Sequence, residues 1–492
     1  MLLLGIDIGT SSVKVSFVDA ATQKPVASAH YPDEESPIIA LQTGWAEQSP
    51  EMWWEQLQAA IARCFKTGSY QPEDVAAIGI SYQMHGLVMV DKDHKPLRNS
   101  IIWCDSRAVE TGEDAFKHIG EERCLSHLLN SPGNFTAAKL AWVKKNELEV
   151  YAKAHKIMLP GDYIAMKLTG EITTSVSALS EGIFYDFADG QLSDDVINYF
   201  GFDRNLFPEI KPLMSPHGYL LESVAMQLHL KPGIPVSYKA GDQPNNALSL
   251  NVLQPGEVAA TAGTSGVIYG VTDGLFIDRQ SRVNTFAHVN YADQQKYLGV
   301  LLCINGTGSM YRWAKNAFGS GLSYQQMNEE SWQSPAGSKG LRVLPFGNGA
   351  ERMLCNQLIG AHLENIDFNT HNREDIFRAV QEGIACSFRY GLDIMRANGM
   401  SPTIIKAGKN NLFLSDLFAE TFVNMTNVPV ELYQNDGSVG AALGAGIGAG
   451  IFTDAAQAFE NMQPLKLIEP KDTGIAEETY QDWKSLLENK LK

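Results

Sequence analysis

Asp242 is the acidic residue best placed in this sequence to accept a proton during a reaction. It follows the apolar run 234–238, which predicts a strand, and the carboxyl ends of strands are favoured places for site residues in α/β proteins. A carboxylate there can orient an alcohol and accept its proton while a phosphoryl group is transferred to the oxygen. The alternative role is structural, because Asp242 precedes Pro244 and could cap the next helix. The residues alone leave both roles open.

A second acidic residue, Asp7, lies in an apolar run that breaks at a Gly-Thr-Ser turn. Residues 2–8 and 13–17 predict two strands joined by a tight hairpin, with Asp7 facing away from the apolar side chains. Gly5 and Gly9 flank Asp7, so a ligand could approach closely. The turn would bind phosphate while Asp7 holds Mg²⁺, or the motif is a plain hairpin turn. The predicted phosphate-binding residues of the turn are Gly9, Thr10 and Ser11.

The pattern of strand, Gly-Thr-Ser turn and strand recurs about half the chain later, at 257–269. Its turn residues are Gly263, Thr264 and Ser265. Duplicated hairpins that face each other across a cleft would hold a polyphosphate from both sides. This arrangement resembles the actin-like ATPase superfamily, in which sugar kinases share paired phosphate hairpins. The resemblance implies an α/β fold with two actin-like, ribonuclease H-like domains and a cleft between them.

A polar loop interrupts the apolar segment between residues 75 and 90. It contains Gln83, Met84 and His85, of which His85 could hydrogen-bond a polyol hydroxyl while Met84 packs on the carbon skeleton. A histidine satisfied within a turn and a core methionine are the alternative, and an isolated Met-His pair favours that alternative.

Length and composition limit the remaining possibilities. A chain of 492 residues is too long for one ordinary core, so two or three domains are expected. The formal net charge of −17 disfavours nucleic acid or an anionic membrane as the main partner. The six cysteines are scattered without a C-x-x-C pair, which is typical of reduced thiols in a cytoplasmic protein. No apolar run approaches the length that spans a membrane, and residues 2–4 predict a buried strand rather than a signal peptide.

The order of these segments resembles the FGGY-type carbohydrate kinases over residues 2 to about 450. Gln83-Met84-His85-Gly86 followed by Trp103-Cys104-Asp105-Ser106-Arg107 is most similar to the members that act on xylulose. The resemblance implies that Asp242 is the catalytic base and that Asp7 holds the metal. The residues implied to bind sugar are Gln83, Met84, His85, Trp103, Asp105, Asp242 and Gln243. Those implied to bind nucleotide are Gly9, Thr10, Ser11, Gly263, Thr264, Ser265, Gly306, Gly408, Lys409 and Asn410.

One segment departs from the family pattern. The strand predicted at 404–406 is followed by Ala407-Gly408, whereas the family usually has two or three glycines in this adenosine loop. The hydroxyl-rich run 173–180 predicts a loop, which in the family borders the sugar pocket.

The resemblance implies an ATP- and Mg²⁺-dependent kinase whose expected acceptor is the terminal hydroxyl of D-xylulose. Gluconate, ribulose or a related polyol are the alternative acceptors, and a regulatory ATPase without a sugar substrate is an alternative of another class. Residues 1–247 are expected to form the N-terminal domain with the sugar site, the first hairpin and Asp242. Residues 248–492 are expected to form the C-terminal domain with the nucleotide site. The predicted setting is cytoplasmic, without nucleic acid or membrane partners, and the polar helix predicted after residue 451 makes a homodimer possible.

Overall fold

The computed structural model describes residues 1–67, 70–471 and 473–492. The chain divides into two compact units. Unit 1 comprises Met1–Asn251, Phe286–Leu298 and Asp436–Met462, and unit 2 comprises Val252–Thr285, Gly299–Asn435 and Gln463–Lys492.

The strands and helices follow in chain order. The strands are β1 Leu2–Ile8, β2 Val13–Asp19, β3 Lys24–Tyr31, β4 Glu47–Gln48, β5 Val75–Tyr82, β6 Val88–Val90, β7 Ser100–Ile101, β8 Lys156–Met158, β9 Thr173–Thr174, β10 Tyr185–Asp186, β11 Gln191–Leu192, β12 Glu209–Ile210, β13 Val236–Gly241, β14 Glu257–Ala262, β15 Gly266–Thr272, β16 Asn284–Ala287, β17 Leu298–Ile304, β18 Arg342–Phe346, β19 Gly360–Glu364, β20 Ile404–Gly408, β21 Val430–Tyr433 and β22 Lys466–Ile468. The α-helices are α1 Pro50–Thr67, α2 Val109–Ile119, α3 Glu121–His127, α4 Thr136–Asn146, α5 Leu148–Lys153, α6 Pro160–Thr169, α7 Val176–Glu181, α8 Asp194–Phe200, α9 Glu222–Leu228, α10 Asp242–Ser249, α11 Gly308–Phe318, α12 Tyr324–Ser331, α13 Arg373–Ala397, α14 Asp416–Thr426, α15 Gly437–Gly448, α16 Ala455–Ala458 and α17 Thr473–Lys490. Short 3₁₀ helices lie at Pro72–Asp74, Arg204–Leu206, Ser338–Gly340, Arg352–Leu354 and Asn411–Leu414.

Unit 1 is built on a five-stranded sheet in the order β13-β5-β1-β2-β3. β1 and β2 pair antiparallel with Ile8 opposite Val13, which confirms the first predicted hairpin. β5 pairs parallel with β1, and β13 pairs parallel with β5, so these three strands end at the same edge of the sheet. That edge carries Asp7 near the end of β1, the loop after Tyr82, and Asp242 directly after β13.

Helix α15 covers one face of this sheet so closely that its backbone contacts the backbone of the strands. A Cβ atom on Gly5 would lie 1.7 Å from the carbonyl oxygen of Ser438, and a Cβ on Gly79 would lie 1.9 Å from that of Ala441. No side chain fits at either position, so both strands need glycine where the helix rests on them. The prediction that Gly5 opens an approach for a ligand is therefore wrong, because α15 fills that space. On the other face, the apolar side chains of β1, β2 and β5 form a buried core with Trp53 of α1.

Unit 2 contains a seven-stranded sheet in the order β16-β17-β15-β14-β20-β21-β22. β14 and β15 pair antiparallel with Ala262 opposite Gly266, which confirms the second predicted hairpin. β14, β20 and β21 are parallel neighbours. The long helix α13 is buried against α11, α12 and α14.

The predicted division after residue 247 lies close to the first change of unit, between Asn251 and Val252. Residues 286–298 and 436–462 fall in the second predicted domain by sequence, but they belong to unit 1. The run 173–180, predicted as a loop, instead forms β9 and most of α7, whose N-cap Ser175 accepts a hydrogen bond from the backbone N–H of Ala178. In the described part of the chain, no helix combines the length and apolarity needed to cross a membrane.

Candidate active site

Asp242 is the first residue of α10 and directly follows β13, as the sequence predicts. Burial, and after it the negative charge of Asp7, raise the pKa of its carboxyl group to about 7, while hydrogen bonds from the backbone and side chain of Gln243 act in the opposite direction. A carboxyl group with a pKa near neutrality can take up and release a proton under ordinary conditions. The N-cap residue of α10 is the preceding Gly241, which has no side chain and so makes no side-chain capping bond.

Asp7 lies in a cluster of charged side chains in unit 1. Burial raises the pKa of Asp7, and the negative charge of Asp436 adds to this, while the positive charge of Lys14 opposes it. Lys14 forms an ion pair with Asp436, which also caps α15 by accepting a hydrogen bond from the backbone N–H of Ser438 at 3.0 Å. The ion pair and the capping bond hold the Asp436 side chain in place beside Asp7.

Asp7 and Asn245 both lie near Gly437 and carry side-chain oxygen atoms of the type that binds a small divalent cation. A Cβ on Gly437 would lie 2.6 Å from Asp7 Oδ2, so glycine at this position leaves room for the carboxylate. The side-chain oxygen of Asn245 is buried and has no hydrogen-bond partner among the described residues, while its Nδ2 donates to the carbonyl oxygen of Gly437 at 2.9 Å. Carboxylate and amide oxygens are the ligands that Mg²⁺ takes, and a cation would relieve the repulsion between Asp7 and Asp242.

Met84 packs directly beside the step that leads to Asp242. Its side chain is 4% exposed, and a Cβ on Gly241 would lie 2.6 Å from Met84 Cγ. The loop after β5 and the end of β13 therefore meet, and the structure brings together two segments that are about 150 residues apart in the sequence.

His85 is held in one orientation by several contacts. Its backbone has a φ of +63°, in the left-handed region that non-glycine residues seldom adopt. The ring Nδ1 lies 3.0 Å from the carbonyl oxygen of Glu181, and the ring contacts Phe135 and Phe286 at centroid distances of 4.7 and 5.5 Å. Because a carbonyl oxygen only accepts, Nδ1 carries a proton in this contact.

Two buried charged residues that hold this loop were missed by the sequence interpretation. Lys139 of α4 donates from Nζ to the carbonyl oxygen of His85 at 2.9 Å, and burial lowers the pKa of its ammonium group to about 7. Glu181, the last residue of α7, is also buried, and burial raises its pKa well above the ordinary value. A lysine within the apolar segment 136–143 is the signal that could have pointed to the first of them.

The first phosphate hairpin and two of the predicted sugar-binding residues also lie together. Trp103 Nε1 donates to Thr10 Oγ1 at 2.9 Å, and Thr10 Oγ1 in turn lies 3.3 Å from Gln83 Oε1. Gln48, which the sequence interpretation missed, is fully buried and donates from Nε2 to the carbonyl oxygen of Thr10 at 2.7 Å. The Trp103 side chain is 54% exposed, so its ring offers an apolar surface beside the hairpin.

Asp105 differs from its predicted sugar-binding role. It is fully buried, and its carboxylate accepts hydrogen bonds from the backbone N–H of Ala46 at 2.6 Å and from Arg107 Nη2 at 2.7 Å. The Arg107 guanidinium in turn lies 3.8 Å from the ring of Trp45. With both carboxylate oxygens occupied by protein donors, Asp105 braces the segment that carries Trp103.

Unit 2 contains a pocket of about 700 Å³ beside the second hairpin. Its lining residues are Ala262, Gly263, Thr264, Gly308, Tyr311, Arg312, Tyr324, Gln325, Asn328, Asn411, Leu412, Leu414 and Ser415. The backbone N–H groups of Gly308 and Ser309, at the start of α11, donate to the carbonyl oxygens of Gly263 and Thr264. Two of the predicted nucleotide-binding residues, Gly263 and Thr264, therefore line a cavity large enough for a nucleoside.

Other predicted nucleotide-binding residues lie outside this lining. Gly306 is buried against the backbone of Pro345, where a Cβ would lie 1.5 Å from the carbonyl oxygen, and Gly308 lines the pocket instead. Gly408 ends β20, while Lys409 and Asn410 are exposed in the following turn. The next residue, Asn411, contributes the lining from this loop. Ser265 is exposed at the tip of the hairpin and also lies outside the lining.

The chain matches two family models in succession. Residues 2–249 match the N-terminal domain of the FGGY family of carbohydrate kinases, and residues 258–451 match the C-terminal domain of the same family. Together these matches cover most of the sequence.

Individual relatives and solved structures are also carbohydrate kinases by name. The xylulose kinase of Bacillus subtilis is 29% identical over 465 residues, which cover 92% of this chain and 89% of that protein. A kinase structure from Brucella ovis, described as a xyloylose kinase, superposes with a TM-score of 0.90 at 25% identity and covers 99% of both chains. The gluconate kinase structure from Lactobacillus acidophilus also has a TM-score of 0.90, at 21% identity, and covers 100% of this chain and 98% of that chain. The last likeness concerns the fold alone.

Proposed function

Because the chain belongs to the FGGY family of carbohydrate kinases, we propose that it transfers the γ-phosphoryl group of ATP to the terminal hydroxyl of D-xylulose. The family membership makes it a sugar kinase, and the acceptor is the proposed part. Curated relatives at 27–29% identity over most of the chain are xylulose kinases, which favours a ketose over other acceptors.

The observation that carries the proposal is the state of Asp242. Its pKa of about 7 makes the ionised carboxylate available at neutral pH, at the sheet edge where the Met84-His85 loop meets β13. Such a carboxylate can accept the proton of a sugar hydroxyl as its oxygen attacks the γ-phosphorus of ATP. The bond between the γ-phosphorus and the bridging oxygen then breaks, ADP leaves, and the proton stays on Asp242 until solvent removes it.

The neighbouring residues supply binding and orientation. The His85 ring, oriented by its Nδ1 contact with the Glu181 carbonyl, would contact a sugar hydroxyl, and Met84 would provide apolar contact. Each of the two Gly-Thr-Ser turns, within its own unit, would offer backbone N–H groups of the kind that binds phosphate oxygens. Asp7, with the Asn245 amide group nearby, would hold Mg²⁺, which neutralises charge on the phosphates when bound.

A panel of acceptors tests the substrate. ADP release is measured with D-xylulose, L-ribulose, gluconate, glycerol and no added acceptor, and the phosphorylated carbon of the product is identified by ³¹P and ¹³C NMR. We expect the highest kcat/KM with D-xylulose and a phosphate on its terminal carbon. A higher kcat/KM with gluconate or another polyol would contradict the xylulose assignment, and ADP release without an acceptor would indicate an ATPase.

Asp7→Asn is expected to change two dependences at once. It removes a metal ligand, so the Mg²⁺ concentration required for half-maximal rate rises. It also removes a negative charge that raises the pKa of Asp242, so the loss of kcat/KM on acidification, expected near pH 7 in the parent, moves to lower pH. The pH profile moves to lower pH because Asp242 acts as a base only when it is ionised, and a lower pKa keeps it ionised at lower pH. Mg²⁺ titrations and pH profiles that superpose on those of the parent would remove Asp7 from the site.

A further inference from the structure

Four side chains from four helical segments form a continuous chain of hydrogen bonds along the pocket of unit 2. Ser415 Oγ, at the N-cap of α14, lies 3.2 Å from Gln381 Oε1 of α13. Gln381 Nε2 lies 3.1 Å from the hydroxyl of Tyr311 in α11, and that hydroxyl lies 2.6 Å from Asn328 Oδ1 in α12. Gln381 is fully buried, while Ser415, Tyr311 and Asn328 line the pocket.

The hydrogen bond at the buried end of this series fixes which group donates and which accepts in each of the others. Ser331 Oγ lies 2.7 Å from the carbonyl oxygen of Met327, which only accepts, so the Ser331 hydroxyl proton is used there. Gln381 Nε2 lies 3.3 Å from Ser331 Oγ, which can therefore only accept from it. The amide nitrogen of Gln381 must face Ser331 and Tyr311, and its oxygen must face Ser415.

The other end agrees with this assignment. Ser415 Oγ already accepts the backbone N–H of Phe418 as the helix N-cap, which leaves its proton for Gln381 Oε1. Both hydrogens of the Gln381 amide are then used, one on Ser331 and one on Tyr311.

These hydrogen bonds also fix the orientation of the Asn328 amide. Because Tyr311 accepts from Gln381, its own hydroxyl proton points to Asn328 Oδ1. Burial raises the pKa of Tyr311 well above its usual range, so the hydroxyl stays a donor, and its ring is further fixed by stacking on Tyr324 at 5.7 Å. Asn328 is thus held with its oxygen toward the protein, and among the described residues no acceptor takes its Nδ2 hydrogens. The amide offers the pocket a donor that is not free to flip into an acceptor.

We infer that Asn328 Nδ2 donates a hydrogen bond to a ring nitrogen of the adenine of the nucleotide, and that Tyr311 and Gln381 are positioning residues that keep this donor in place. The inference rests on the proposed use of ATP by this pocket. Adenine presents unprotonated ring nitrogens at N1, N3 and N7, and each is an acceptor without a hydrogen. A fixed donor recognises such an atom and rejects a ring position that carries its own N–H.

Deaza nucleotides test the contact without turnover. Isothermal titration calorimetry measures the Kd of ADP and of 1-deaza-, 3-deaza- and 7-deaza-ADP for the parent protein and for Asn328→Ala. In the parent, one of the three analogues is expected to bind about 3- to 10-fold more weakly than ADP, as one hydrogen bond is lost. In Asn328→Ala, ADP should weaken by a similar factor, and that analogue and ADP should bind equally.

Two further variants separate recognition from folding. Gln325→Ala changes another residue of the pocket lining and should keep the discrimination between ADP and the sensitive analogue. Tyr311→Phe keeps the ring but frees the Asn328 amide, so the discrimination should shrink while the circular dichroism spectrum stays that of the parent. Equal binding of all three analogues and ADP by the parent, or discrimination that persists in Asn328→Ala, would overturn the inference.

The outcome is independent of the sugar assignment. A protein that binds ADP with the expected discrimination but phosphorylates another acceptor would retain the Asn328 contact and lose only the xylulose proposal. A parent that does not bind ADP at all would overturn both the inference and the use of ATP on which it rests.

Discussion

Asp242→Asn is expected to fold as the parent does, to bind sugar and ADP with similar affinity, and to lose phosphoryl transfer by about 10²- to 10⁴-fold. Asparagine has the size of aspartate and can keep the hydrogen bond from the backbone N–H of Gln243, but it cannot accept the hydroxyl proton. Single-turnover rates with saturating D-xylulose and ATP measure the loss, and calorimetric titrations of each ligand measure binding.

Gln243→Ala provides a comparison for this variant. It removes a side chain that hydrogen-bonds the Asp242 carboxylate and that is itself predicted to bind sugar, but it keeps the carboxylate and the backbone N–H that bonds it. We therefore expect a rate below that of the parent and far above that of Asp242→Asn. An Asp242→Asn protein that transfers phosphate at close to the parent rate, or that fails to fold, would contradict the role of Asp242 as a base. It would favour the structural role at the start of α10.

Gly79→Ala is expected to reduce the free energy of unfolding by about 1–3 kcal/mol, as overpacking of a tightly packed core does. The added Cβ would lie 1.9 Å from the carbonyl oxygen of Ala441, so α15 or β5 must move by more than 1 Å to accept it. Urea denaturation followed by circular dichroism measures the change.

Gly474→Ala is the matched control for the packing variant, because a Cβ there meets no atom within 4 Å and the residue lies in helix α17. Alanine favours a helix over glycine by up to about 1 kcal/mol, so this variant should be as stable as the parent or more stable. Coincident denaturation curves for Gly79→Ala and the parent would show that the helix does not rest on the strand as described.

Local sequence patterns predicted the two hairpins and the place of Asp242, because each depends on residues that are neighbours in the chain. Alternation of apolar side chains around a Gly-Thr-Ser turn defines a hairpin wherever it occurs, and β1–β2 and β14–β15 follow that rule. Asp242 follows a strand of apolar residues and begins a helix, which is also a local property.

The structure differs from the local sequence interpretation at residues whose environment comes from distant parts of the chain. Gly5 was interpreted as an opening for a ligand, but its neighbour is Ser438, more than 400 positions away. Gly306 likewise meets the backbone of Pro345, and the carboxylate of Asp105 is occupied by Arg107 and by the N–H of Ala46. A glycine or an aspartate has the same local signal whether protein or ligand fills the space beside it.

The buried groups around His85 could not be inferred from spacing for the same reason. Lys139 and Glu181 lie on helices α4 and α7, and their contact with the loop after β5 depends on how those helices pack. The orientation of the His85 ring, which contacts the Glu181 carbonyl through Nδ1, follows from that packing.

The origin of α15 limits the order in which the protein can fold during synthesis. The helix that covers β1 and β5 belongs to residues 437–448, and the chain completes the fold of unit 2 up to Asn435 before it returns to unit 1. A ribosome that has released only the first 250 residues therefore exposes a sheet whose glycine-lined face has no covering helix. Apolar surface that is exposed during synthesis is prone to aggregation, so we expect the nascent protein to be most prone to aggregate before residue 448 has emerged.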